Sequence, residues 1–251
     1  MKTLNIVIPM AGAGSRFADA GYAFPKPLID VAGKTMIEVV IKNLKPTIPH
    51  RFIFICQREH YEKYDLHNIF KNATGGNDFD VVQINGVTAG AACTVLCAKQ
   101  FIDNENDLLI ANSDQFIDFQ PDAFIEEARQ DDTDGLIMTF ESSHPKWSYA
   151  RVDKDGKVTE VAEKKLISNH ATTGIYYFRQ GKDFVSGTEA MIKKDCKHNG
   201  EFYVCPVYNE LILQGATIRT SDITINQMHG LGTPEDLDLF LENIRTNTVK
   251  L

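Results

Sequence analysis

Gly12, Ala13 and Gly14 stand directly before Ser15 and Arg16, and Pro25-Lys26-Pro27 follows a short way along the chain. Glycines turn sharply with little side-chain bulk, so successive N–H groups here aim at one point, the geometry of an anion cradle. Arg16 and Lys26 add two fixed positive charges beside that point. A triphosphate matches such a place in charge and size. A tight strand-to-helix turn with a surface arginine accounts for the glycines, but for neither Arg16 nor the Pro-Lys-Pro run. Asp114, in Asn112-Ser113-Asp114-Gln115, follows the apolar run Leu108-Leu109-Ile110-Ala111. A carboxylate at the carboxyl end of a strand is placed to hold Mg²⁺ against phosphates, because that ion takes oxygen ligands and keeps several waters. Read alone, Asp114 is more readily a loop or helix-capping residue. Residues 85–92 (Asn-Gly-Val-Thr-Ala-Gly-Ala-Ala) are small enough for a flat base to approach Gly86, Thr88 and Gly90. The alternative is a helix start packed on a sheet, with Thr88 as its cap.

These groups need a scaffold, and the first half of the chain alternates strand-like and helix-like segments. Residues 4–8, 51–56, 81–84 and 107–111 read as short buried strands. Between them, residues 36–44 put Ile37, Val40, Ile41 and Leu44 on one helical face, 89–101 read as a second helix, and Pro121 opens a third ending near Arg129. Such alternation predicts an α/β fold, Rossmann-like, with a mainly parallel central sheet flanked by helices. Ligands of these sheets bind at the carboxyl ends of strands, where the Gly12 loop falls. After Gly135 the pattern changes: strands are expected at 135–140 and 173–178, with a hairpin of 148–153 and 157–163 turning at Asp155-Gly156. Helices are expected at 182–194, 203–213 and 234–244. No repeat or long linker interrupts residues 1–251, so one domain is expected. Its first part (1–134) is mainly nucleotide-binding, and a smaller mixed β region in 135–251 is for the acceptor.

The 251 residues suffice for a sizeable core, and 43% hydrophobic with 24% charged content is ordinary for a globular protein. A formal charge of −8 argues against nucleic acid or an anionic membrane surface as partner, while leaving room for a local basic pocket. Five cysteines (Cys56, Cys93, Cys97, Cys196, Cys205) lack the spacing of a metal site and are expected to be buried thiols in a reducing cytoplasm. No membrane span or signal peptide is read from the chain. A homo-oligomer is compatible with everything above.

Two familiar phosphate motifs fail: a dinucleotide fingerprint needs glycine where Phe17 stands, and a Walker loop ending at Gly33-Lys34-Thr35 needs glycine where Leu28 stands. What does fit is Gly-x-Gly-x-Arg at residues 12–16 followed by Pro-Lys-x-Leu at 25–28. This resembles the nucleotidyltransferase family of sugar-nucleotide pyrophosphorylase type, and the resemblance runs through most of the chain. It implies transfer of a nucleoside monophosphate from a nucleoside triphosphate to a phosphorylated small-molecule acceptor, a sugar phosphate or similar, with release of pyrophosphate. Surface-polysaccharide precursors are the implied products, and the cytidylyltransferase branch acting on small phosphorylated compounds is as near as the hexose-phosphate enzymes. By this resemblance Ala11, Gly12, Ala13, Gly14 and Ser15 hold phosphates, Arg16 the departing pyrophosphate and Lys26 the α-phosphate. Gly86, Thr88 and Gly90 meet the base, and Asp114 binds Mg²⁺. The hairpin beginning Tyr149-Ala150-Arg151-Val152 resembles the one leading into the family's Glu-Lys-Pro acceptor motif, with Lys165 in place of proline. Glu163 then binds acceptor hydroxyl or amine groups, Lys164 an acceptor phosphate, and Gly174 lets the acceptor lie close to backbone.

The C-terminal part departs from the pattern. Gly230 stands where the resemblance places a second metal-binding aspartate before Gly232-Thr233-Pro234-Glu235-Asp236, and Asp222 on an adjacent strand is the expected substitute, with water as the alternative. Residues 201–206 also lack the threonine–aspartate pair of sugar-specific members, which points to an acceptor other than a hexose. Two rival readings follow. A nucleotide-sugar glycosyltransferase would use Asp-x-Asp, where this chain has Asn112-Ser113-Asp114, and a non-catalytic nucleotide sensor would explain Gly230.

Overall fold

The computed structural model describes residues 2–76, 79–130 and 132–251. In chain order, β1 (Leu4–Pro9) runs into α1 (Ser15–Asp19), and the small hairpin of β2 (Asp30–Val31) and β3 (Lys34–Thr35) leads into α2 (Met36–Leu44). β4 (His50–Gln57) is followed by α3 (Arg58–Lys63) and α4 (Leu66–Thr74), and β5 (Phe79–Ile84) by α5 (Ala91–Leu96) and α6 (Lys99–Ile102). β6 (Asp107–Ala111) is followed by β7 (Gln115–Ile117) and α7 (Pro121–Ala128). The second half holds β8 (Gly135–Glu141), β9 (Tyr149–Val152), β10 (Val158–Ala162) and β11 (His170–Phe178). It closes with α8 (Gly181–Lys193), α9 (Val207–Leu213), β12 (Ile218–Ile223), β13 (Met228–Gly230) and α10 (Pro234–Arg245).

Local chemistry explains the best-defined of these. α2 begins with a capping box: the Thr35 N–H donates to Glu38 Oε2 at 2.7 Å, and the Glu38 N–H returns a bond to Thr35 Oγ1 at 3.4 Å. Its buried stripe contains Ile37, Val40, Ile41 and Leu44, as the 3.6-residue period requires. α10 starts at Thr233, whose hydroxyl accepts from the Asp236 N–H, with Pro234 at its first position.

β1 lies parallel between β4 and β6, and β4 pairs in parallel with β5. β11 then reverses direction. Its Ile175–Phe178 segment pairs antiparallel with β6 on one edge, while β8 runs along the other edge and β12 adds to β8 in parallel. The β9–β10 hairpin docks through β9 on His170 and Ala171, the start of β11. β6 and β9 therefore share one edge of β11, and the stretch Thr172–Gly174 between them pairs with neither. The ladder to β8 is also irregular between Thr172 and Tyr176, a bulge at the same level. The architecture is α/β with a mixed sheet whose parallel core is β5-β4-β1-β6.

One face of the sheet buries Val7, Ile53, Ile110 and Phe178 with residues of α5, α8 and α9, and the other buries Ile6, Phe54, Leu109 and Tyr177 with residues of α2, α4 and α7. A third cluster, with Phe17, Val31, Phe116, Leu237 and Phe240, ties α1 and β7 to α10. No helix among the described residues is long and apolar enough to cross a membrane.

Several expectations need correction. The helix expected at 89–101 begins at Ala91 and breaks after Leu96, where the N–H groups of Cys97 and Ala98 donate to Thr94 and Val95, three residues back. The helix expected from Tyr203 starts at Val207, because Phe202 is tied across the fold by backbone bonds to Ala89 and Ala92. α3 and α4 were not foreseen. The cysteines are free, but only Cys56 and Cys205 are buried, while Cys93 is half-buried and Cys97 and Cys196 are exposed.

Phe54 in β4 is fully buried and stacks on Phe70 of α4 with ring centroids 4.0 Å apart. Phe54→Ala is expected to lower unfolding free energy by about 3–5 kcal/mol, measured by urea denaturation. A loss under about 1 kcal/mol would show that the sheet does not depend on this stack.

Candidate active site

β1 delivers the glycine loop to the carboxyl ends of the parallel strands, where the Met10 N–H still donates to Ile55 O at 2.9 Å. Beyond it the ladder stops. Among the described residues, no acceptor in the chain meets the N–H groups of residues 11–16. Gly12 has open space where a side chain would stand, and Gly14 (φ 62) turns the chain into α1. A Cβ on Gly14 would lie 3.3 Å from Lys26 Cβ, so the turn and the lysine stem pack directly together. Lys26 is held in a short 3₁₀ turn between Pro25 and Pro27, and its Nζ reaches Asp114 Oδ2 at 2.6 Å. Arg16 is exposed and, among the described residues, has no carboxylate partner. Gln57, at the end of β4, donates to Ala11 O at 2.6 Å and to Gly86 O at 2.7 Å. One amide thus ties the glycine loop to the segment containing Thr88.

That segment is more internally engaged than its composition suggested. The Thr88 hydroxyl donates to Gly90 O at 2.9 Å and lies 2.7 Å from the Thr94 hydroxyl, so it does not cap α5. Gly90 (φ 124) is required by backbone, since an added Cβ would sit 2.5 Å from Phe202 N and O. Gly86 (φ 73) has open space around it.

A cleft of about 330 Å³ opens along the unpaired edge of β11. Lys26, Asn112 and Asp114 line it from the β6 side, Lys146, Trp147, Ser148 and Glu163 from the β9–β10 hairpin and its flanks, Tyr176 from β11, and Tyr203 and Cys205 from the segment before α9. Gly174 (φ 94) lines it too, but a Cβ there would stand 2.1 Å from Asn112 Nδ2. This glycine is thus needed to seat Asn112, whatever the cleft binds. Glu163 is 9% exposed and accepts from the Ser148 hydroxyl. Lys164, with a left-handed backbone (φ 49), turns its Nζ to the Tyr203 hydroxyl at 3.0 Å. Lys146, Trp147, Tyr203 and Gln57 were missed in sequence; the chain's one tryptophan beside a lysine, just ahead of the hairpin, was the available signal.

Asp222 is not brought to this cleft. It lies on β12, its carboxylate accepts from Thr139 and meets His170 Nδ1 at 3.2 Å, and it is absent from the lining. The position beside Gly230 is filled differently: a Cβ on Gly230 would lie 3.4 Å from Asp236 Oδ2, while one on Gly232 would lie 3.0 Å from Asp114 Oδ2. The Leu231 N–H between them donates to Asp114 O at 2.8 Å. Gly230 and Asp236 line a hollow that shares Lys146 and Trp147 with the cleft. His229 packs beside Phe116 and Phe240, and burial pulls its imidazole below the usual range.

A family model described as nucleotidyl transferase matches residues 6–201, and the chain belongs to that family. It is 26% identical over 251 residues to the bifunctional protein GlmU of Buchnera aphidicola subsp. Schizaphis graminum, covering 97% of this chain and 51% of that one. It is 24% identical over 237 residues to the low-salt glycan biosynthesis nucleotidyltransferase Agl11 of Haloferax volcanii, covering 92% and 63%. The chain thus spans about half to under two thirds of the length of these two relatives. The crystal structure of a nucleoside-diphosphate-sugar pyrophosphorylase from Vibrio cholerae RC9 superposes with a TM-score of 0.81 at 28% identity, covering 94% of this chain and 99% of that one. The likeness to sugar-nucleotide pyrophosphorylases therefore extends over the fold as a whole.

Burial pushes the Glu163 carboxyl up, only partly offset by the Ser148 bond and by Lys164. A carboxyl whose pKa is raised on folding favours the folded state at pH below its unfolded value, and that contribution is lost as pH rises through the folded value. Glu163→Gln, which stays neutral, is therefore expected to stabilise the empty protein more at pH 7 than at pH 4. Thermal unfolding of both proteins at the two pH values measures this; equal differences would show that Glu163 is well solvated.

Proposed function

We propose that the chain transfers a nucleoside monophosphate from a nucleoside triphosphate to a phosphorylated small-molecule acceptor, releasing pyrophosphate, and so supplies activated precursors for surface polysaccharide. The observation that carries this reading is the convergence of Lys26 on Gly14 and on Asp114, beside a run of N–H groups that meet no acceptor among the described residues. Family membership and the glycan-biosynthesis relative support it. An acceptor phosphate oxygen attacks the α-phosphorus and forms the new P–O bond. The bond from that phosphorus to its β-bridging oxygen breaks, and the electron pair leaves on pyrophosphate. The protein's task is alignment and charge stabilisation.

In this reading the N–H groups from Ala11 to Ser15 cradle the triphosphate, and exposed Arg16 draws the departing pyrophosphate. Lys26 exchanges Asp114 for the α-phosphate, where negative charge rearranges in the transition state. Gly86, Thr88 and Gly90 border the base, placed relative to the phosphates by Gln57. Glu163, Lys164 and the Gly174 segment receive the acceptor, so the two halves of the chain meet across the cleft.

Mg²⁺ is the expected cofactor, and the donor chemistry fits it. Among the described residues no cluster of three or more His, Cys, Asp or Glu side chains exists. Magnesium suits a site with few protein carboxylates, because phosphates and water complete its oxygen shell. Asp114 and Asp236, flanking the Gly230–Gly232 backbone, are the carboxylates that would hold it, Asp236 taking the part expected of Asp222. When bound, the ion neutralises charge on the triphosphate.

Lys26→Ala is expected to lower kcat by roughly 100-fold or more while leaving the circular-dichroism melt intact. Near-normal turnover at saturating triphosphate and acceptor would remove Lys26 from the mechanism. For the ion, Asp236→Asn is expected to weaken retention of Mn²⁺, used as a paramagnetic probe with bound triphosphate, by about tenfold or more. Combining it with Gly230→Asp should restore the lost affinity. Unchanged Mn²⁺ affinity in Asp236→Asn would return the second position to water.

A further inference from the structure

The acceptor side of the cleft is chemically lopsided, and the imbalance points to the acceptor's charge. Glu163 is almost fully buried, yet among the described residues no lysine, arginine or histidine nitrogen lies within ion-pair distance of it. Among the described residues its single hydrogen-bond donor is the neutral Ser148 hydroxyl. The adjacent Lys164 does not neutralise it by contact, because its left-handed backbone carries the ammonium to the Tyr203 hydroxyl instead. A desolvated carboxylate without a cation is a costly arrangement, normally found only where a partner is supplied.

The surroundings of this carboxylate are aromatic. Trp147, Tyr176 and Tyr203 line the same cleft as Glu163. Two of these rings already carry ammonium groups of the chain: Lys146 Nζ lies 4.6 Å from the Trp147 centroid, and Lys164 Nζ lies 4.8 Å from that of Tyr203. Ring faces of this kind attract cations most strongly when water is excluded. The other face of the cleft bears Lys26, suited to a phosphate.

Resting on the nucleotidyl-transfer reading above, we propose that the acceptor is a small phosphorylated amine whose ammonium pairs with Glu163 beside Trp147 and Tyr203 while its phosphate faces Lys26. A neutral polyol phosphate gives Glu163 hydrogen bonds but leaves its charge uncompensated. An ammonium compensates it in a place where desolvation has already been met by folding. The bond changes are those of nucleotidyl transfer, and the amine takes no part in them.

The test is pyrophosphate release with each of the four common nucleoside triphosphates against phosphocholine, phosphoethanolamine, glucose 1-phosphate and glycerol 3-phosphate. Calorimetric binding of each acceptor to triphosphate-loaded protein accompanies it. An amine phosphate is expected to exceed both polyol phosphates in kcat/KM by about 100-fold or more, as for sites whose buried charge is otherwise left unpaired. Glu163→Gln, similar in shape but uncharged, should shrink that preference at least tenfold. Its triphosphate Kd should stay within about twofold, which separates a charge effect from misfolding. Turnover favouring a polyol phosphate, or an unchanged preference in Glu163→Gln, overturns the cationic acceptor and leaves nucleotidyl transfer standing. No release from any pair, with no calorimetric binding of the amine phosphates, overturns both.

Discussion

The site depends on a mismatch of strand lengths. β11 spans His170–Phe178, whereas the parallel core offers it only the short β6. Its last residues complete their ladder on β6 and its first on β9, so the middle is left bare on one edge. Backbone groups in such a gap must find other partners. Two do so locally, with the Asn112 N–H donating to Gly174 O at 3.1 Å and the Thr172 N–H to Ser148 O at 2.8 Å. Those two bonds fasten the Asp114 segment and the Trp147 segment to opposite ends of the gap. The cleft is what remains between them.

Its two sides differ in what they cost the empty protein. Lys26 and Asp114 are 22% and 27% exposed, and an ion pair with that much solvent contact contributes on the order of 0–1 kcal/mol. An incoming phosphate can therefore replace Asp114 at Lys26 with little loss. The glycine loop is also open, with Gly12 and Ala13 exposed, so its N–H groups are accessible to solvent and to an anion alike. Glu163, in contrast, is buried. An unpaired buried charge costs more than the whole Lys26–Asp114 pair returns, and that expense falls on every molecule not carrying acceptor. In the proposed reading, triphosphate binding is thus the exchangeable part of the site, and discrimination falls to the acceptor.

How much of this the sequence disclosed follows from which interactions are local. The run at Gly12, the helix behind Thr35 and Glu38 and the Asp155-Gly156 hairpin are each specified by neighbouring residues, and each stands where it was expected. The late starts of α5 and α9 were hidden because residue 202 clamps residues 89 and 92 from across the fold. Gly90 and Gly174 read as room for a ligand, yet their missing side chains make room for Phe202 backbone and for the Asn112 amide. Gln57 is a polar residue at a strand end, and nothing in its neighbours reveals that its amide bridges Ala11 and Gly86. Long-range polar bonds of this kind leave no periodicity to read.

Gly230 shows the same limit from the other direction. Judged along the chain, a missing carboxylate at that position suggested a substitute on a neighbouring strand, and β12 offered Asp222. In space the carboxylate beside Gly230 comes from the next helix. α10 starts so soon after β13 that its first turn folds back over the strand end, putting Asp236 against Gly230. In α2 the residue at the matching helical position, Glu38, reaches back to the cap N–H of Thr35. Asp236 is one methylene shorter and makes no such bond to Thr233 among the described residues, so its carboxylate remains turned toward the strand. A Cβ at residue 230 would stand at ordinary contact distance from Asp236, 3.4 Å, but an aspartate there would set two carboxylates against each other.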